Sequence, residues 1–279
     1  MNKKIKYLTF IFLATTLFFF NIKFISANTI NEITMDVYID KNGNAKITEI
    51  WKAHLTQGTE GYRPYSKLEN KEITNFIVKD DSGKTYSFQT DWDTSASFND
   101  KAYKNGFNNT YNGVELCWGI SDYGLRTYTL TYDISNFVTK YTDNQGVYFN
   151  FLNLDQTIVN ATITIHSDIP FSLDNARIWG FGNNGEINFE SDKIVFKSNG
   201  TLNSDDYMTA LVRFQTDLFE TNNTSYKSFD DIYNEAMSDV KEKKLKDQQT
   251  VRAIIITLFL LIFFNPLVWM LLSFIIKKD

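Results

Sequence analysis

Ile33-Thr34-Met35-Asp36-Val37-Tyr38-Ile39-Asp40-Lys41-Asn42-Gly43-Asn44-Ala45 is the stretch that decides the fold. Apolar residues at 33, 35, 37 and 39 alternate with Thr34, Asp36 and Tyr38, the two-residue period of a strand with one buried face. Asp40 to Asn44 then supplies a turn, because Asn42-Gly43 tolerates the positive φ that a tight hairpin needs. Residues 45–55 return as the second arm. Residues 73–79 and 84–88 read as another hairpin, around Asp80-Asp81-Ser82-Gly83. Further short strands are expected over 114–120, 127–134, 146–151, 157–167, 176–181, 186–189, 193–197 and 208–216. Clusters of Gly, Asn and Asp separate them, and no helical period runs among them. The fold class is therefore mainly β: an antiparallel β-sandwich, either one large sandwich or two packed in tandem.

Two stretches break this pattern. Residues 91–112 are polar and Asn-rich, with Trp92, Phe98, Tyr103, Phe107 and Tyr111 scattered through them, and read as a long loop. Ser228 precedes Phe229, Ile232, Tyr233, Ala236, Met237 and Val240, which is helical spacing behind an N-cap.

Apolar segments bracket the β region. The first follows Lys3, Lys4 and Lys6, runs through residues 7–20 and closes on Ile25-Ser26-Ala27, so 1–27 reads as a signal peptide. The second, residues 253–276, carries no charge and is long enough to cross a hydrocarbon layer of about 30 Å as a helix. The expected organisation is an extracytoplasmic domain over 28–225, a helical stem over 226–252, a transmembrane helix over 253–276 and a cytoplasmic tail over 277–279. That places the protein in a bacterial cell membrane on a single pass. The basic flank before the anchor opposes the positive-inside rule, but a large domain led across by a signal overrides that bias.

The formal net charge of −5 hides an asymmetry. Residues 28–240 hold 17 Lys and Arg against 30 Asp and Glu, a net of −13, while residues 241–252 hold 5 against 2, a net of +3. An acidic domain disfavours nucleic acid and anionic wall polymers as partners, whereas the basic stretch suits lipid phosphates. Cys117 is the only cysteine, so no intrachain disulfide forms, and it reads as a small hydrophobe on a strand.

No motif in the chain prescribes catalysis. His54 and His166 lack a neighbouring nucleophile, and His166 falls on the polar phase of its strand, opposite Ile163 and Ile165. Asp91-Trp92-Asp93 offers two carboxylates and a ring, the elements of a glycan hydrolase, but in a composition rich in both types. Asp40-Asn42-Asn44 and Asp80-Asp81 carry oxygens suited to calcium, yet they sit where hairpin turns need them. Neither a metal nor a cofactor is expected. Among Trp51, Trp92, Trp118 and Trp179, exposure decides which is a carbohydrate platform and which a core ring. Asn265-Pro266 inside the anchor reads as a kink or a contact with another membrane helix.

Several stretches in order carry a resemblance: Gly43, Ala45, Ile47 and Glu49 at alternate positions, Gly61-Tyr62-Arg63-Pro64, Trp118-Gly119-Ile120, and residues 127–134. Tyr148-Phe149-Asn150-Phe151, Ile163-Thr164-Ile165 leading to Pro170, Trp179-Gly180 and residues 208–214 complete it. In this order they resemble the extracytoplasmic domain of the YciQ-like predicted membrane proteins, over residues 30–220. The resemblance implies a surface-facing β domain followed by a transmembrane helix, and it carries no catalytic residues to transfer. Family members commonly continue into further membrane helices and a glycine-rich tail. The expected function is a non-enzymatic binding or interaction module of the cell envelope, with the bilayer and an envelope glycan or membrane protein as partners. The alternatives are a wall-glycan hydrolase at Asp91 and Asp93 and an accessory subunit of a membrane complex. Tyr62, Arg63 and Trp92 are the candidate ligand contacts, since aromatic and Arg side chains dominate binding hot spots.

Overall fold

The structure, a computed structural model, describes residues 28–182, 185–215 and 217–263. The expected signal peptide and most of the expected anchor, with Asn265 and Pro266, lie outside the described residues. In chain order the strands are β1 (Thr29–Ile39), β2 (Ala45–Leu55), β3 (Glu60–Ser66), β4 (Ile73–Lys79), β5 (Ser87–Gln89), β6 (Lys104–Thr110), β7 (Gly113–Gly119) and β8 (Gly124–Ile134). They continue as β9 (Thr139–Lys140), β10 (Gln145–Leu152), β11 (Ile158–Ser167), β12 (Ala176–Phe181), β13 (Glu186–Glu190), β14 (Lys193–Lys197) and β15 (Met208–Phe214). A short helix α1 (Phe98–Lys101) precedes β6, and a long helix α2 (Phe229–Phe263) follows β15.

The opening hairpin forms in the expected register, Val37 opposite Ile47 and Met35 opposite Glu49. Gly43 sits at φ +77° in its turn, and Asp40 Oδ1 accepts from the backbone N–H groups of Asn42 and Asn44. This hairpin is the middle of a seven-stranded sheet in the order β13-β14-β11-β1-β2-β8-β4. Two four-stranded sheets, β12-β15-β10-β9 and β3-β7-β6-β5, complete the architecture. Residues from all three sheets share one continuous apolar core, including Ile33, Met35 and Ile47, then Leu116 and Trp118, then Phe149, Phe151 and Val212.

Three details depart from the sequence expectation. The large sheet is mixed, because residues 153–157 carry the chain back from β10 and set β11 parallel to β1. Residues 91–112 are not one loop: Ser97 caps α1, and β6 pairs with β7. Its asparagines disguised the strand, yet Asn105 is buried and its Nδ2 donates to the Phe76 carbonyl at 2.9 Å. Third, residues 60–66, to which the alternation assigned no strand, form β3, paired along β7.

Helix α2 begins at Phe229, where the spacing behind Ser228 placed a helix, and docks on the sheet. Phe229, Ile232 and Ala236 of α2 are buried against Leu211 and Tyr141, with Tyr148, Trp179, Phe181 and Tyr233 packed around them. This second cluster lies on the outer face of the β12-β15-β10-β9 sheet, so β15 is buried on both sides. Gly146 makes the close approach possible, since a Cβ there would lie 2.6 Å from the Phe229 ring. Asp143 Oδ1 accepts from the Phe229 N–H at 2.7 Å, and Ser228 and Asp231 cap each other's backbone N–H groups at 2.8 and 3.1 Å. Beyond this dock Val251, Ile254, Ile255, Ile256, Leu258, Phe259 and Leu260 are all exposed. Among the described residues no helix is long and apolar enough to cross a membrane.

Candidate functional site

The polar groups that the fold concentrates fall in two places, one sealed inside and one at the surface. Inside, β2 alternates Ala45, Ile47, Glu49, Trp51 and Ala53 toward the core, which carries a carboxylate into an apolar layer. β3 brings Arg63 and Tyr65 inward opposite it, and β8 brings Tyr132. Glu49 Oε1 accepts from Arg63 Nε at 3.1 Å and from the Tyr65 hydroxyl at 3.3 Å; Tyr132 also donates to it. Glu49 Oε2 accepts from Trp51 Nε1 at 2.6 Å. Arg63 Nη2 donates to the Tyr65 hydroxyl at 3.1 Å and to the carbonyl of Phe151 on β10, and the guanidinium lies 4.3 Å from the Tyr65 ring centroid. One ion pair thereby joins all three sheets.

Glu49 and Arg63 are 0% and 1% exposed. Burial alone would lower the pKa of Arg63, but Tyr65 and Glu49 beside it hold it above its ordinary value. Burial, reinforced by the Glu49 carboxylate, pushes the Tyr132 hydroxyl well up. Burial likewise raises Tyr65, with Arg63 opposing the shift and Glu49 supporting it. Arg63, Tyr65 and Tyr132 therefore stay protonated across the neutral range, and none of them reaches solvent. Arg63, a candidate ligand contact from its residue type, is thus not a surface contact: it is a structural tie on a packed strand.

At the surface, Glu60 opens β3 and Trp92 and Lys101 come from the 91–112 stretch. Trp92 Nε1 donates to Glu60 Oε2 at 2.6 Å, and Lys101 Nζ lies 3.0 Å from the same oxygen. Lys101 also donates to the Thr94 carbonyl at 2.6 Å and to Thr59 Oγ1 at 3.1 Å. Trp92 is half-buried and its N–H is engaged, which leaves part of the ring for contact. Asp93 accepts from the Ser95 hydroxyl at 2.6 Å and its N–H at 2.8 Å; these bonds hold its carboxyl below the usual range. A general acid needs the opposite shift. Tyr62, also on β3, donates to Asp155 Oδ1 at 2.5 Å, and burial followed by that carboxylate raises its pKa. Tyr62 therefore ties β3 to the 153–157 turn, separately from Trp92.

Other residues singled out by sequence take no part in this corner's hydrogen bonds. Cys117 is buried on β7, where burial and then the nearby Glu60 and Glu115 push its thiol up to about 12. His166 sits on the outer face of the large sheet with Nε2 3.0 Å from Asp36 Oδ2, and exposed His54 lies at the end of β2. Trp51 and Trp118 meet edge to face at 5.2 Å inside the core. Asp40 and Asp80 use their oxygens on their own turns. Among the described residues no group of three or more His, Cys, Asp or Glu side chains could hold a metal ion. Glu49 and Tyr132 escaped the sequence reading, although a carboxylate in phase with Ala45, Ile47, Trp51 and Ala53 was the available signal.

Residues 29–214 match a family described as the N-terminal domain of a predicted membrane protein, DUF2207. No curated protein matches the chain. Among solved structures, native yeast LTA4 hydrolase aligns over 66% of this chain and 29% of its own, at 10% identity and a TM-score of 0.43. A putative nutrient binding protein from Legionella pneumophila aligns over 66% of both chains, at 9% identity and 0.41. An M1 zinc metallopeptidase from Deinococcus radiodurans aligns over 66% of this chain and 42% of its own, at 7% and 0.35. The chain thus spans less than two thirds of the length of these proteins. At such values none of them informs its chemistry.

Proposed function

Because the chain belongs to the DUF2207 family of predicted membrane proteins, in keeping with the YciQ-like resemblance of its motifs, we propose that it is a membrane-anchored, extracytoplasmic interaction module without catalytic activity. The observation that carries this reading is the 35-residue helix α2. Its first two turns are built into the outer face of a sheet, and its last turns expose apolar side chains all round, a surface that water does not favour. Docking at one end and an apolar run at the other make the helix a stem that holds the β domain against a bilayer. The acidic domain then faces away from polyanions and toward a protein or a neutral glycan.

The surface corner fits binding better than turnover. Trp92 presents a ring whose N–H is already fixed by Glu60, the arrangement of a preorganised contact. Asp93, held ionised by Ser95, is unsuited to donate a proton. Cross-linking of the full-length chain in its native membrane, set against co-sedimentation with purified walls, tests this reading. Recovery of a specific partner or wall polymer, reduced by Trp92→Ala, is expected. Turnover of a wall glycan that is lost in Asp91→Asn or Asp93→Asn would overturn it.

A further inference from the structure

We propose that the end of the β domain carrying the β7–β8 turn rests on the lipid headgroups through Leu125 and Tyr123, giving the domain a second membrane contact; this inference rests on the membrane-anchored reading. Topology sets which end faces the bilayer. α2 starts at Gly146 and Tyr141 and proceeds over Trp179 and Tyr148, so it runs along β10 toward Leu152. The chain returns from Leu152 to begin β11 at Ile158, beside Ile30 at the start of β1. Thr29 pairs with His54, and His54 pairs with Leu125. The entry of the chain, the end of β2 and the start of β8 therefore share the end toward which the stem points.

The lengths agree. From Ala236, the last buried residue of the dock, to Ala253 the helix advances about 25 Å. β10 covers about 13 Å from Tyr148 to Leu152, and the turns project a few Å further. The headgroup layer adds about 6 Å on each side of the hydrocarbon. Together these nearly close the gap between the turns and the lipid.

The side chains at this end are of the interfacial kind. Leu125 is 70% exposed on the solvent phase of β8, where Thr127 and Thr129 follow it, so folding gives no reason for a leucine there. Tyr123 is 43% exposed, with its ring 5.2 Å from Phe98 and its hydroxyl donating to the Gly58 carbonyl at 2.9 Å. Aromatic rings held with an apolar neighbour are enriched at the membrane–water boundary. The charges alongside are paired: Arg126 with Asp122 and, at 3.7 Å, with Asp81; Lys52 with Glu32 at 2.5 Å. Pairing lowers the cost of bringing this end to a headgroup layer.

Full-length Leu125→Cys, labelled with an environment-sensitive fluorophore, is reconstituted in phosphatidylcholine–phosphatidylglycerol vesicles bearing headgroup spin labels. Tyr111→Cys is the control, because fully exposed Tyr111 caps the β6–β7 hairpin at the opposite end of β7. Cys117 does not compete, being buried with its thiol pushed up to about 12. The Leu125 probe should shift to the blue and be quenched, with the Tyr111 probe unchanged. Vesicle flotation is scored first: a chain that fails to float refutes the anchored reading itself. A floating chain whose Leu125 probe behaves like the Tyr111 probe overturns the contact alone. So does a shifted probe that lipid labels do not quench and that cross-links between copies.

Discussion

Replacing Arg63 by Leu removes one partner of the pair that ties the three sheets together. Glu49 then keeps three donors, Trp51, Tyr65 and Tyr132, but loses its only cation at 0% exposure. Breaking a buried pair from one side costs about 3–5 kcal/mol, because the remaining charge is uncompensated. At about 2–4 °C per kcal/mol for a domain of this size, Tm falls on the order of 10 °C. The Glu49→Leu/Arg63→Leu double variant should recover part of the loss, since no lone charge remains. Thermal unfolding of the full chain in detergent, followed by tryptophan fluorescence, reads the loss of the core that buries Trp51 and Trp118. An unchanged Tm in the single variant, or a double variant no more stable than the single one, would refute the account of a sealed, structural ion pair.

Phe229→Ala should cost about 3–5 kcal/mol of docking energy and expose residues 225–240 to protease while the β domain stays intact. Gly146→Ala should also release the stem, because its Cβ meets the Phe229 ring, and should strain the β10–β15 pairing besides, because that Cβ lies 2.6 Å from the Val212 carbonyl oxygen; retained protection in either variant would contradict the dock. Iodoacetamide should leave Cys117 unmodified at pH 8 in the folded chain and label it after urea. A thiol raised to about 12 holds about a thousandfold less thiolate than an ordinary cysteine, before burial is counted. Lys101→Met should cost about 1–3 kcal/mol by leaving the Thr94 carbonyl without this donor and Glu60, which keeps its bond from Trp92, without this cation, read as a lower urea midpoint with unchanged m.

Alternation made most of the strands legible before any coordinates, because one face of each is polar. The opening hairpin and the 127–134 strand came directly from it, and the start of α2 came from helical spacing behind Ser228. Pairing order was not legible: the parallel β1–β11 neighbours are set by a crossover between sheets that local pattern does not encode. β6 was hidden because asparagine weighs against strands, and only a tertiary bond from Asn105 to Phe76 offsets that preference. Arg63 looked like a surface hot spot because its identity was weighed and its phase was not; Glu49, on the buried phase of β2, was its partner. Trp92 proved half-buried and fixed, and its Glu60 and Lys101 partners come from segments too far apart in sequence to connect by inspection.

The central claim is that α2 holds the β domain outside the cell against its membrane. The most direct test is protease treatment of intact cells producing the full chain with a tag after residue 279, followed by fractionation. The account predicts that the tag stays protected in the membrane fraction while external protease cuts at residues 241–252. A protected β domain in intact cells, or a chain recovered away from the membrane fraction, would contradict it.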